Sequence, residues 1–180
     1  MENFWTIQVL TPDYLLEGSI STDMLNPQIP FTSPSIFEAY YHHFGYDTTV
    51  PLITLTSTSV QPAGPLPVPP NPSPAWVVNA DRAIAFIPRE GASNTYLLKR
   101  NKYVSLVPAD LILGTFLVQG SVWSPDKADA GLSFLKKCSR LILQDVIIDQ
   151  LLPGAAFPRM EVPYAVICTW HLQSAAIRLA

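Results

Sequence analysis

Three histidines, His42, His43 and His171, and two cysteines, Cys138 and Cys168, are the side chains of this chain best suited to hold a metal or carry nucleophilic chemistry. Glu38 and His42 stand four residues apart, a spacing that puts a carboxylate and an imidazole on one helix face. Structural zinc is usually held by four Cys or His ligands, and neither cysteine keeps a ligand-like spacing to this pair. Glu38 and His42 therefore read as part of an exposed helix that also carries Tyr40, Tyr41 and His43. There is no glycine-rich phosphate loop, no nucleophile elbow and no Ser, His and Asp set in recognisable context. The chain is expected not to be an enzyme and to use no cofactor or metal. Cys138 and Cys168 read as buried reduced thiols, with a disulfide between them as the alternative.

Charge offers a different chemistry. All 11 Lys and Arg residues follow Asp81. Residues 1–81 carry seven carboxylates and no base, for −7, and residues 82–180 carry eleven bases against seven acids, for +4, which agrees with the net −3. Two halves of opposite sign are suited to meet electrostatically. Arg89, Lys99, Arg100 and Lys102 cluster at the joint between them, as a solvated linker or as ion-pair partners for a neighbouring copy. A second candidate interaction segment runs from Gln61 to Pro74, where seven of 14 residues are proline. It cannot be helix or central strand, and it contains PxxP spacings around Pro67, Pro69 and Pro70. It reads as a stiffened connection between strands, with Pro153 to Pro158 as its shorter counterpart. A ligand for aromatic-grooved domains is the alternative, although no flanking base assists it.

The elements that must position these residues occur twice. Ile7 to Ile20 aligns without a gap on Tyr103 to Phe116, Pro12 on Pro108 and Gly18 on Gly114, and each stretch reads as strand, Pro turn, strand. Ser33-Pro34 and Ser124-Pro125 each open a segment of helical composition, with Ser as cap and Pro in the first turn. β-rich runs follow at Val50 to Val60 and Leu141 to Leu151. Each copy ends in an apolar strand with a polar break, Trp76 to Ile87 and Ala165 to Ile177, where the break reads as a hairpin turn. A spacing of roughly 90 residues makes these duplicated domains rather than a short solenoid repeat. The chain is 48% hydrophobic and only 14% charged, too apolar for disorder and consistent with a covered interface. Every apolar run is too short for a membrane helix, and the amino terminus lacks a basic n-region, so a cytoplasmic location is expected.

Val9-Leu10, followed by Leu15, Gly18, Ile20, Asp23 and Asn26, resembles the first signature of the Sm-like small barrels. The Val77 to Ile84 segment is similar in position to their second signature. The resemblance implies a small, strongly bent barrel. It also implies single-stranded RNA binding inside a ring, through an Asp/Asn loop and an Arg-Gly turn. Asp23 and Asn26 match the loop in the first half, whereas Gln119-Gly120-Ser121 stands there in the second. The turns read Asn79-Ala80 and Thr169-Trp170, with no Arg-Gly in either. Phosphate contacts need bases, which the first half lacks, so RNA is the least favoured partner.

The expected fold is mainly β with minor α: two duplicated small β-barrel domains, 1–90 and 91–180, each strand-strand-helix-strand-strand-strand. The expected role is a non-catalytic assembly, scaffold or protein-interaction module that forms homo-oligomers by meeting the acidic half of one copy with the basic half of the next. The interaction candidates are Lys99, Arg100, Lys102, Pro67, Pro69 and Pro70. The alternative is a regulatory module that binds a small molecule or peptide in a cleft between the halves, with Trp76, Trp123 and Trp170 as lining residues.

Overall fold

The structure is a computed structural model that describes residues 4–21, 52–67, 75–90, 105–124, 140–154 and 157–177. Ten strands run through these segments: β1 Phe4–Leu10, β2 Tyr14–Ser21, β3 Leu52–Pro62, β4 Ala75–Asn79, β5 Ala85–Glu90, β6 Ser105–Leu113, β7 Phe116–Ser124, β8 Arg140–Gln150, β9 Met160–Cys168 and β10 Leu172–Ile177. They form one open antiparallel sheet in the order β10-β6-β7-β8-β9-β5-β1-β2-β3-β4. The two segments expected to be helical, after Ser33-Pro34 and after Ser124-Pro125, lie outside the described residues. Among the described residues no helix is long and apolar enough to cross a membrane.

Alternation explains the strands. In β3, Ile53 and Leu55 are buried while Thr54 and Thr56 are exposed, the period-two pattern of a strand with one face on a core. β8 does the same with Leu141 and Leu143, and then with Val146 and Ile148. The phase shifts at Asp145, whose φ of 54° marks a bulge, and the matching bulge in β3 is Ser57 at φ 52°. Each bulge lies across from a glycine that the ladder skips, Gly18 in β2 and Gly120 in β7.

The pairings repeat register for register. Ile7 opposite Gly18 recurs as Ala109 opposite Gly120, and Ser19 opposite Thr56 as Ser121 opposite Gln144. Ile53 opposite Val78 recurs as Leu141 opposite Ile167, and Val9 opposite Phe86 as Leu111 opposite Ala175. Even a polar pair is kept with its roles exchanged. Gln8 Nε2 donates to Glu17 Oε2 at 2.6 Å, and at the matching positions Gln119 Nε2 donates back to Asp110 Oδ1 at 2.8 Å.

These registers correct two expectations. Pro108 is not at a turn: it lies within β6 opposite Ser121, just beyond the last β10 pair, Ile177 with Ala109. Among the described residues no β10 residue pairs with Pro108, and a proline, which has no N–H to donate, is tolerated at such a position. The turn equivalent to Pro12-Asp13 is Gly114-Thr115, so Gly18 corresponds to Gly120 and not to Gly114. The polar breaks are not hairpin turns either. They are 3₁₀ turns, Ala80–Arg82 and Thr169–His171, and the strands on either side of each pair with different neighbours.

Those turns bend the sheet. β9 and β10 lie at opposite ends of the second half's five strands, so four inter-strand spacings, about 19 Å, would separate them in a flat sheet. The four residue steps from Cys168 to Leu172 reach at most about 14 Å even when extended. Each half therefore curls on itself. Hydrogen bonds fix the curl: Ile84 N donates to Leu10 O at 2.6 Å, and Gly114 N to His171 O at 3.2 Å.

Apolar side chains fill the curled sheet in two clusters. Leu10, Ile84 and Ile87 from the first half pack with Leu111, Phe116 and Ile167 from the second. The other cluster is built from Ile7, Val9, Leu55 and Phe86, and it also takes Val166 and Cys168 from β9. Both cross the boundary near residue 90. β5 serves both, with Ala85 and Ile87 on one side and Phe86 on the other.

Candidate functional site

Among the described residues no group of three or more His, Cys, Asp or Glu side chains is placed to hold a metal ion. Glu38, His42, His43 and Cys138 lie outside the described residues. His171 is half-buried in the turn before β10, with no hydrogen-bond partner at its buried Nε2. Cys168 is fully buried, its Sγ 3.9 Å from the Ala80 carbonyl oxygen.

Of the expected interaction residues, Lys99, Arg100, Lys102, Pro69 and Pro70 lie outside the described residues. Pro67 is exposed, and its carbonyl accepts a hydrogen bond from the Tyr14 hydroxyl at 3.1 Å. The chain just before it is held tightly. Gln150 Nε2 donates to the Ala63 carbonyl, and a Cβ on Gly64 would stand 2.8 Å from the Pro12 carbonyl oxygen. The root of the proline-rich segment is thus pinned to the β1–β2 turn and to the end of β8. Arg89 is exposed on β5. The second half's exposed Arg159 pairs with Asp149 at 3.5 Å and Glu161 at 3.3 Å, contacts that contribute little at a solvated surface.

Trp76 lies half-buried on β4, and Trp170 is 69% exposed in the turn before β10. These two elements belong to opposite ends of the sheet order, and the side chain of Trp123 is outside the described residues. The boundary between the halves is a hydrogen-bonded ladder, Ala85 opposite Ile167 and Phe86 opposite Val166, with apolar side chains packed around it.

The remaining feature is the pair of sheet edges. Among the described residues neither β4 nor β10 has a strand on its outer side. β4 reads Ala-Trp-Val-Val-Asn and β10 reads Leu-Gln-Ser-Ala-Ala-Ile, with no charge and no proline in either. Natural sheets usually blunt an edge with Lys, Pro or a covering loop, because unpaired N–H and C=O groups recruit another strand. Val77 on β4 is 60% exposed, whereas Val166, at the same position of the repeat, is 5% exposed under β5. The signal for these edges was present in the sequence only as two uncharged runs, at the fourth strand of the first half and the fifth strand of the second. Which strands lack a neighbour is a tertiary property that local pattern does not carry.

Asn79, the last residue of β4, caps the following turn by accepting from Asp81 N at 2.9 Å. Replacing it, Asn79→Ala, is expected to cost about 1 kcal/mol, read as a lowered melting temperature. Burial, with a smaller contribution from the Asp145 carboxylate, raises the Tyr164 phenol above its ordinary value.

No protein-family model matches the chain, and comparison with curated proteins and with solved structures finds no match.

Proposed function

We propose that this chain is a non-catalytic assembly or scaffold module that self-associates, built from two small Sm-like barrel units, residues 1–90 and 91–180, and working in the cytoplasm. The observation that carries the reading is the register-for-register repeat, joined through β5 and β9. A unit that already pairs with its own duplicate by strand addition has a surface fit for pairing with further copies. The opposite charges of the two halves give such copies a preferred head-to-tail sense, and contacts between unlike surfaces close into rings or propagate. The packed boundary between the halves favours this reading over a cleft that binds a small molecule or peptide. Single-stranded RNA draws less support still, because the turns Ala80-Asp81-Arg82 and Thr169-Trp170-His171 contain no Arg-Gly.

Native mass spectrometry with light scattering, at low and high salt, tests the proposal. A discrete oligomer is expected, weakening as salt screens the charges. Reversing Lys99, Arg100 and Lys102 to Glu is expected to weaken it in the same way. A monomer at every salt concentration overturns the reading.

A further inference from the structure

We infer that β4 of one chain receives β10 of a second copy, antiparallel, with Val77 opposite Ala175 and Val78 opposite Ser174 of that copy. The inference rests on the self-association reading and specifies its surface. Inside the chain, the fourth strand of the second half, β9, pairs with the fifth strand of the first half, β5. Among the described residues the two strands left open are the fourth of the first half and the fifth of the second. They are the same two kinds of edge, one at each end of the sheet.

The register follows from the repeat. The pairings that place Ile53 opposite Val78 and Leu141 opposite Ile167 make β4 and β9 equivalent, Val77 with Val166 and Val78 with Ile167. Those that place Val9 opposite Phe86 and Leu111 opposite Ala175 make β5 and β10 equivalent, Phe86 with Ala175 and Ala85 with Ser174. Transposing Phe86 opposite Val166 and Ala85 opposite Ile167 gives the proposed pairs.

Exposure agrees. Val166 is 5% exposed because Phe86 and its neighbours cover it, while Val77 is 60% exposed. A second β10 would lie over Val77 as β5 lies over Val166. The turn 169–171 of the second copy would then stand beside Asn79, as the turn 80–82 stands beside Cys168, where the Ala80 carbonyl is 3.9 Å from Sγ. The occupant is a second copy because both edges belong to this chain and stand at opposite ends of its sheet. Each chain offers one edge of each kind, so the contact is heterologous, and every chain adds two units to a ring or filament.

Paired cysteines test the register. Directly opposed residues on antiparallel strands have Cα atoms about 4.5–5.5 Å apart, within disulfide reach. The full chain carrying Val77→Cys and Ala175→Cys, mildly oxidised and run denatured without reductant, is expected to give a ladder of chain multiples that collapses on reduction. Val77→Cys with Ala176→Cys is the control, since a one-residue shift turns the second side chain to the other face. The unsubstituted chain, with Cys138 and Cys168, sets the background. Val77→Lys places a charge where the single chain already faces solvent, and it is expected to weaken association roughly tenfold or more with an unchanged circular dichroism spectrum. An oligomer that persists in native mass spectra without a ladder, or with an equal ladder in the control, overturns this interface and leaves self-association standing. A monomeric unsubstituted chain overturns both.

Discussion

Phe86→Ala is expected to remove about 3–5 kcal/mol of stability and to split unfolding into two transitions. Phe86 is fully buried and lies on β5, the strand that joins the halves. Its ring packs with Val9 from β1 on one side and Val166 from β9 on the other. Truncation would leave a cavity that the two flanking ladders cannot close without losing register. Along the sheet the halves are tied by the β5–β9 ladder, Ala85 with Ile167 and Phe86 with Val166, extended by Cys168 N donating to the Ile84 carbonyl at 2.9 Å, and Phe86 lies at the centre of that junction. A loss of this size is a large share of the roughly 5–15 kcal/mol available to an ordinary domain. Urea titrations followed by tryptophan fluorescence and by circular dichroism, at two protein concentrations, would read it. Coincident transitions with a loss below about 1 kcal/mol would mean that β5 does not couple the halves. Val77→Ala is the contrast, with an effect within about 0.5 kcal/mol in the dissociated chain, because that side chain is already 60% exposed.

The order of strands was legible because alternation is a local signal. Ile53-Thr54-Leu55-Thr56 can hardly be anything but a half-buried strand, and Trp76 to Ile87 matched Ala165 onward at the spacing that the pairings show. The first two strands were misaligned because one residue type answered two needs. Gly114 has a φ of +59° in a turn, where the chain needs left-handed backbone, while Gly18 and Gly120 lie in strands where a neighbouring backbone comes too close for a Cβ. Matching Gly18 to Gly114 and Pro12 to Pro108 followed residue type and missed that difference. The exchanged pair, Gln8 with Glu17 against Asp110 with Gln119, would have marked the correct alignment, since an amide–carboxylate pair survives the swap of its partners. The hairpin expected at Asn79 to Arg82 failed because a short polar break says that the chain turns, not which strand it turns toward. The candidate site was hidden for the same reason. An uncharged strand is ordinary in the interior of a sheet, and only the strand order shows that β4 and β10 are at its ends.

Gly18→Val is expected to be among the most damaging substitutions in the chain, at about 3 kcal/mol or more, with Gly18→Ala at about 1–3 kcal/mol. A Cβ at Gly18 would stand 2.9 Å from the Thr56 carbonyl oxygen, 3.0 Å from Thr58 Oγ1 and 3.1 Å from Leu55 Cβ. None of these can yield cheaply. Thr58 Oγ1 donates to the Leu55 carbonyl at 3.0 Å across the bulge, Leu55 is fully buried, and moving the Thr56 carbonyl disturbs the β2–β3 ladder. At Gly120 the closest contact is the Gln144 carbonyl oxygen at 3.0 Å, and the next, Leu143 Cδ2, is at 3.4 Å on a side chain that can shift. Gly120→Ala should therefore cost less than Gly18→Ala. At Gly114 a Cβ would meet nothing within 4 Å, so alanine there should cost only about 1 kcal/mol, for the left-handed backbone alone. Thermal unfolding of the three alanine variants gives the ranking. Gly18 above Gly120 above Gly114 is the expected order. Equal costs at Gly18 and Gly114 would mean that the bulge at Ser57 does not press β3 against β2.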